Sequence, residues 1–212
     1  NIIETDVRSS SDGVLYCFHD RSVERMTGSL GNIENLSSRH LDKLRINETH
    51  YIPRLENLYE AFPNAYFNID AKSWECVYPL VDLVRRTNTS ERTCFGSFDQ
   101  ARLDRITSNL INDTSARSLG TRGVVNLYLG YLTGQSFAIR ADCAQLPIRY
   151  FGINLVNKKT LAHFQSQGLK IHVWTINEAP EFQRLIDLGV DGIMTDDCEM
   201  LKSVLEKNNL WQ

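Results

Sequence analysis

Residues 161–195 read LAHFQSQGLKIHVWTINEAPEFQRLIDLGVDGIMT. Leu161 and Phe164 stand three apart on one helical face, and Gly168 supplies the left-handed residue that ends the helix. The apolar run Ile171 to Ile176 follows. A second helix carries Phe182, Leu185 and Ile186, stops at Gly189, and leads into Gly192-Ile-Met-Thr195. A last helix is expected to bury Met200, Leu201, Val204 and Leu205. Helix, glycine, short apolar strand, twice over, is the pattern of βα units on a parallel sheet.

The same scheme extends backwards. Ile2 to Val7, Tyr66 to Ala71 and Thr93 to Phe98 are short strand-like runs. Trp74, Val77, Val81 and Val84 mark a helical face between the last two, although Pro79 should kink or delay that helix. Weaker strands are expected at 117–119 and 144–155, with a helix from about 122 to 133 between them. Leu15 to Phe18 is another strand, but a parallel crossover needs about a dozen residues. Strands 2–7 and 14–18 therefore read as a hairpin, or as a strand running into a loop. Seven parallel candidates result: 2–7, 66–71, 93–97, 117–119, 144–155, 171–176 and 192–195. A closed (β/α)8 TIM barrel has eight strands and about 250 residues. The expected fold class is thus α/β, a TIM barrel in which this sequence lacks the first βα unit. A doubly wound sheet is the runner-up, but no glycine-rich phosphate loop follows any strand.

No linker or low-complexity tract divides the 212 residues, so residues 1–212 read as a single domain. Residues 21–58, with the amphipathic stretch Leu36 to Leu44, read as an insertion capping part of the barrel mouth. The net charge of −3 offers no basic field to nucleic acid or an anionic membrane. No window approaches the 18 consecutive apolar residues of a transmembrane helix. The five cysteines (Cys17, Cys76, Cys94, Cys143, Cys198) show no CxxC spacing and read mostly as buried apolar residues in a reducing compartment, the cytoplasm. Sequons at Asn35, Asn47, Asn88 and Asn112 are no more than chance gives for this composition.

Three constellations and one aromatic side chain could carry chemistry. Glu4 and Asp6, two apart on a strand, share a face; inside a barrel, a hard divalent cation would compensate them, and on an exposed edge they would be ordinary solvated carboxylates. Asp70 and Lys72 repeat that spacing, as a third metal ligand and a phosphate partner or as a surface ion pair. His19, beside Asp20 after an apolar run, is a candidate general acid or base. Trp174, late in its strand, is either a core aromatic or an apolar wall at the barrel mouth.

Together these pieces resemble the glycerophosphodiester phosphodiesterase family. The ordered fragments are Ile3-Glu-Thr-Asp-Val7, Asp12-Gly13, Phe18-His-Asp20, Arg25-Met-Thr-Gly28, Pro53-Arg-Leu-Glu-Asn-Leu58, Asn68-Ile-Asp-Ala-Lys72, Ser97-Phe98, Val173-Trp-Thr-Ile-Asn177 and Gly189-Val-Asp-Gly-Ile-Met-Thr-Asp196. Each is weak alone; their order across nearly the whole chain is specific. The resemblance implies that Glu4, Asp6 and Asp70 hold one divalent cation, magnesium or calcium, and converge within one coordination sphere. It makes His19 one of two catalytic histidines and lines the substrate subsites with Lys72 and Trp174. The implied reaction is metal-dependent hydrolysis of a glycerophosphodiester to glycerol 3-phosphate and an alcohol, with water or the glycerol 2-hydroxyl attacking in line. Two departures stand out. The family has Glu where this chain has Asp70, and its first-strand His-Arg-Gly motif and following Glu-Asn pair are expected upstream of Asn1. Without them, the 212 residues alone are expected to fold poorly and to be nearly inactive.

Two other readings stay open. One is a catalytically impaired relative that only binds a phosphodiester, which intact Glu4, Asp6 and His19 oppose. The other is a sphingomyelinase D-like phospholipase, whose relatives carry a disulfide after the catalytic His; no Cys lies between His19 and Cys76.

Overall fold

Ile3, Val7 and Ser9 turn one way along the first strand, and Glu4, Asp6 and Arg8 turn the other. Which face of the sheet is apolar follows from that alternation. The computed structural model describes residues 2–110, 114–135 and 137–211; the sequon at Asn112 lies outside them. The chain falls into two compact units, Asn1–Gly120 and Thr121–Gln212.

In chain order the first unit contains β1 (Ile2–Ser9), β2 (Leu15–Cys17), α1 (Glu24–Thr27), α2 (Ser38–Leu41), β3 (Arg45–Ile46), β4 (His50–Tyr51), α3 (Leu55–Ala61), β5 (Tyr66–Ala71), α4 (Val77–Thr87), β6 (Thr93–Gly96), α5 (Gln100–Asn109) and β7 (Ala116–Arg117). The sheet order is β2-β1-β5-β6-β7. β1 pairs antiparallel with β2, the expected hairpin, and parallel with β5, with Glu4 opposite Asn68 and Asp6 opposite Asp70. β6 and β7 continue the parallel run. Val7, Phe67, Ile69, Ala71 and Phe95 point to one face and join Leu55, Tyr59, Leu80, Val84, Leu103 and Ile106 of α3, α4 and α5 in a fully buried core. Residues 21–58 carry a core of their own: Val23, Ile33, Leu41, Leu44 and Ile52 pack with Tyr16 and Phe18.

The second unit contains α6 (Thr121–Thr133), β8 (Cys143–Pro147), β9 (Arg149–Tyr150), β10 (Ile153–Asn154), α7 (Lys158–Ser166), β11 (Lys170–Trp174), α8 (Ala179–Leu188), β12 (Gly192–Ile193) and α9 (Cys198–Lys207). β8, β11 and β12 form a parallel sheet with β11 in the middle. Asn157 caps α7, accepting from the N–H groups of Lys159 and Thr160, and Gly168 and Gly189 take positive φ just past α7 and α8. The seven strands expected to be parallel are the seven that pair in parallel: β1, β5, β6, β7, β8, β11 and β12. No pairing among the described residues closes them into one ring.

Five local expectations are corrected. Residues 144–155 are not one strand: β8 stops at Pro147, and β9 and β10 make a hairpin whose turn residues, Phe151 and Gly152, both have positive φ. Pro79 does not kink its helix, because it lies in the first turn of α4, where N–H groups have no helical partner. Trp74 falls before that helix and is half exposed. On α9 no residue is fully buried, and Met200 is exposed. The cysteines are not mostly buried as expected: Cys76 and Cys143 are buried, Cys17 and Cys94 half-buried and Cys198 exposed, and no disulfide joins any of the five.

Candidate active site

Because β1 and β5 run parallel and in register, Glu4, Asp6, Asn68 and Asp70 all lie on the sheet face opposite the helix core. Asp6 and Asp70 are level near the C-terminal ends of their strands. Lys72 follows immediately, its backbone N–H donating to the Val7 carbonyl. Its ammonium lies 2.7 Å from a carboxylate oxygen of Asp6 and 2.7 Å from one of Asp70. The Phe98 ring stands 5.1 Å from the same nitrogen, close enough for a cation–π contact.

Burial sets the electrostatics of this cluster. Asp70 is 8% exposed, and desolvation pushes its carboxyl above the usual range in spite of Lys72. For Lys72, burial works against the charge, but the Asp70 and Asp6 carboxylates outweigh it and hold the ammonium above its ordinary range. Asp70 Oδ1 is buried with no hydrogen-bond partner. A buried oxygen with an unused lone pair, in an all-carboxylate donor set, fits a hard cation. The expected convergence of Glu4, Asp6 and Asp70 in one sphere is not what the structure has, since no three His, Cys, Asp or Glu groups among the described residues are spaced to hold a metal. Two causes are visible. Lys72 supplies the compensating charge between Asp6 and Asp70, and Glu4, one side-chain repeat (about 6.6 Å) back along the strand, is exposed.

His19 arrives at the same end of the sheet. The Phe18 N–H donates to the Asp6 carbonyl at 2.9 Å, which fixes the residue before His19 against the metal-candidate strand. The imidazole is well exposed, and its Nδ1 is 2.8 Å from Asp20 Oδ1. Asp20 Oδ2 in turn accepts from Arg25 Nε at 2.6 Å. Hydrogen bonds from Arg25 and then His19 pull the Asp20 carboxyl down to about 2. An ionised carboxylate only accepts, so the Asp20 contact favours the tautomer with its proton on Nδ1 and its free lone pair on Nε2. Asp20 and Arg25 were within the motifs quoted above, but their role needed the fold.

In the second unit, Trp174 is the last residue of β11, paired with Pro147 and half-buried, at the C-terminal end of the parallel strands. Just beyond it, Asn177 ties the β11 and β12 loops together. Its Oδ1 accepts from the Thr195 hydroxyl at 3.0 Å and the Asp196 N–H at 2.9 Å, while its Nδ2 donates to Asp196 Oδ2. His40 and His50 are exposed away from these clusters, on α2 and β4, and His163 stacks on Tyr131.

Comparisons with known proteins agree on one family. The model of the glycerophosphoryl diester phosphodiesterase family matches residues 1–200. A Mycobacterium tuberculosis protein named "Probable glycerophosphodiester phosphodiesterase 2" is 34% identical, over 99% of this chain and 81% of its own. The human lysophospholipase D GDPD1 is 25% identical, over 97% of this chain and 77% of its own. Among solved structures, an Oleispira antarctica phosphodiesterase in complex with the product sn-glycerol-3-phosphate superimposes with a TM-score of 0.78, at 19% identity, covering 97% of this chain and 85% of that one. The shared fold is the TIM-type α/β barrel.

Proposed function

Since this chain belongs to the glycerophosphoryl diester phosphodiesterase family, a family of phosphoric diester hydrolases, we propose that it hydrolyses glycerophosphodiesters to glycerol 3-phosphate and an alcohol, using the polar face built by β1 and β5. The observation that carries this reading is the in-register pair Asp6 and Asp70, joined by Lys72, one hydrogen bond from the loop that presents His19.

The family is generally dependent on a divalent metal. Asp6 and Asp70 would hold magnesium or calcium only with Lys72 displaced from between them and Glu4 turned in from its exposed position; the ion would then supply Lewis-acid polarisation of a phosphoryl oxygen. His19 does the proton transfer: Asp20 keeps Nδ1 protonated, so Nε2 takes a proton from the attacking hydroxyl or returns one to the leaving alcohol. Lys72, displaced in that way, offers its cation to the phosphate oxygens. Trp174 gives an apolar wall for the substrate's carbon atoms. Residues 21–58, folded on their own core, cap the mouth and act on leaving-group choice. No helix among the described residues is long and apolar enough to cross a membrane, and five cysteines without a disulfide among them support a reducing, cytoplasmic setting.

Phosphorus NMR of full-length protein with glycerophosphocholine tests this reading. Glycerol 3-phosphate should accumulate, cease with a chelator, and resume with added magnesium or calcium. Unchanged turnover in excess chelator would remove the metal from the account, and intact glycerophosphocholine would remove the substrate class. The relative named lysophospholipase D and the exposed Tyr150, Phe151 and Ile153 of the β9–β10 hairpin favour a second substrate, a lysophospholipid. Choline release from lysophosphatidylcholine measured against glycerophosphocholine separates the two.

A further inference from the structure

On the polar face of β1, Arg8 follows Asp6 by two residues and reaches two places at once. Its Nη1 lies 2.6 Å from Glu34 Oε1, an ion pair whose side chains are only 12% and 7% exposed. Its Nε donates at 2.8 Å to the backbone carbonyl of His19. Glu34 belongs to the single turn Ile33–Asn35 inside the 21–58 segment, and Ile33 anchors that turn in the segment's apolar core. The second Glu34 oxygen, Oε2, makes no hydrogen bond, and the other cation near it, Arg21, is 4.0 Å away. Glu34 thus spends its one strong contact on Arg8.

Burying such a pair is costly, and its net contribution to stability is small or negative when compared with apolar packing. What it does supply is geometry. A guanidinium is a rigid planar fork, so fixing one nitrogen with a buried carboxylate fixes the direction of the others. Here the remaining arm fixes the carbonyl of the residue whose imidazole must meet the substrate. Asp20 and Arg25 fix the ring's orientation; neither fixes the backbone that carries it.

We propose that Arg8, clamped by Glu34, is a positioning residue that sets the height of His19 above the β1–β5 face and ties that height to the 21–58 segment. The proposal rests on the role given to His19 above. It makes the segment more than a cover: movement of its Ile33–Asn35 turn is transmitted through Glu34 and Arg8 to the base.

The test uses Arg8→Gln and Arg8→Lys in full-length protein, with His19→Ala alongside. Misplacing a catalytic group by about 1 Å costs about 10²-fold, so Arg8→Gln should lower kcat by about that factor while KM stays within about threefold. Amide exchange across residues 18–20 should accelerate in the same variant, reporting a loosened loop whatever the activity. Arg8→Lys keeps the charge for Glu34 but loses the fork; it should restore thermal stability without restoring kcat. If Arg8→Gln does not fold, Arg8→Lys alone carries the test through kcat and loop exchange. Full kcat in Arg8→Gln beside an inactive His19→Ala overturns the proposal and leaves the function intact. Recovery of kcat together with stability in Arg8→Lys overturns it too, leaving a merely structural ion pair. A fully active His19→Ala removes His19 from the chemistry and this proposal with it, leaving the substrate class intact.

Discussion

Asp20 illustrates how one side chain fixes the chemistry of its neighbour. Its carboxyl is held at about 2, against an ordinary 3.8, by the Arg25 and His19 hydrogen bonds. A depressed value means that the folded state favours the charged form. The stabilisation from these bonds is therefore present above pH 3.8 and is lost as the pH falls through about 2. Replacing Arg25 with Ala removes the larger of the two causes, and carboxyl-carbon NMR should then find Asp20 titrating markedly closer to 3.8. An unmoved titration would mean that Arg25 does not hold Asp20 in solution. At this scale much was legible in the sequence: Glu4, Asp6, His19, Asp70 and Lys72 were singled out by i, i+2 spacing and by ordered motifs. The Arg8–Glu34 pair was not, because its partners are 26 residues apart and neither stands in a pattern. Nor could spacing reveal that Lys72 sits between the two carboxylates, which is a matter of the register between β1 and β5.

Among the elements, β1 and β5 determine the site, because a shift of one residue in their register would turn Asp6 and Asp70 to opposite faces. That register is secured from behind by apolar packing: Val7, Ile69 and Ala71 share a core with Val77, Leu80, Val81 and Val84 of α4. Leu80→Ala, at a fully buried position, should cost about 2–5 kcal/mol of stability in urea unfolding while leaving kcat per folded molecule unchanged. A loss below about 1 kcal/mol would mean that α4 does not close the core as described. Strands and helices bounded by glycine were read well from sequence, α7, β11, α8 and β12 among them. The β9–β10 hairpin was missed for a physical reason. Leu146, Ile148 and Tyr150 alternate with Pro147 and Arg149 at the period of a strand, and a turn made by Phe151 and Gly152 carries one conventional turn residue in place of two. On α9 four apolar residues stand at helical spacing, yet none is fully buried and Met200 is exposed.

At the scale of the molecule, seven parallel strands in chain order, the family match over residues 1–200 and the TIM-barrel neighbours describe one kind of enzyme scaffold, in which chemistry collects where strands end. In the first unit Asp6, Asp70 and Lys72, and in the second, separately, Trp174 and Asn177, stand at or just beyond strand ends. The fold class was legible because βα repetition leaves a periodic signature in a single chain. The placing of the carboxylates was not: the motifs imply that Glu4, Asp6 and Asp70 converge, but Lys72 fills the space between Asp6 and Asp70. If His19 Nε2 handles the proton in phosphodiester hydrolysis, the turnover of His19→Ala must show it. With glycerophosphocholine and saturating magnesium or calcium, kcat should fall by about 10²–10⁴-fold, the contribution of a positioned acid or base, with thermal stability unchanged. A folded variant that keeps more than about a third of wild-type turnover, far above what loss of such a group allows, would contradict it.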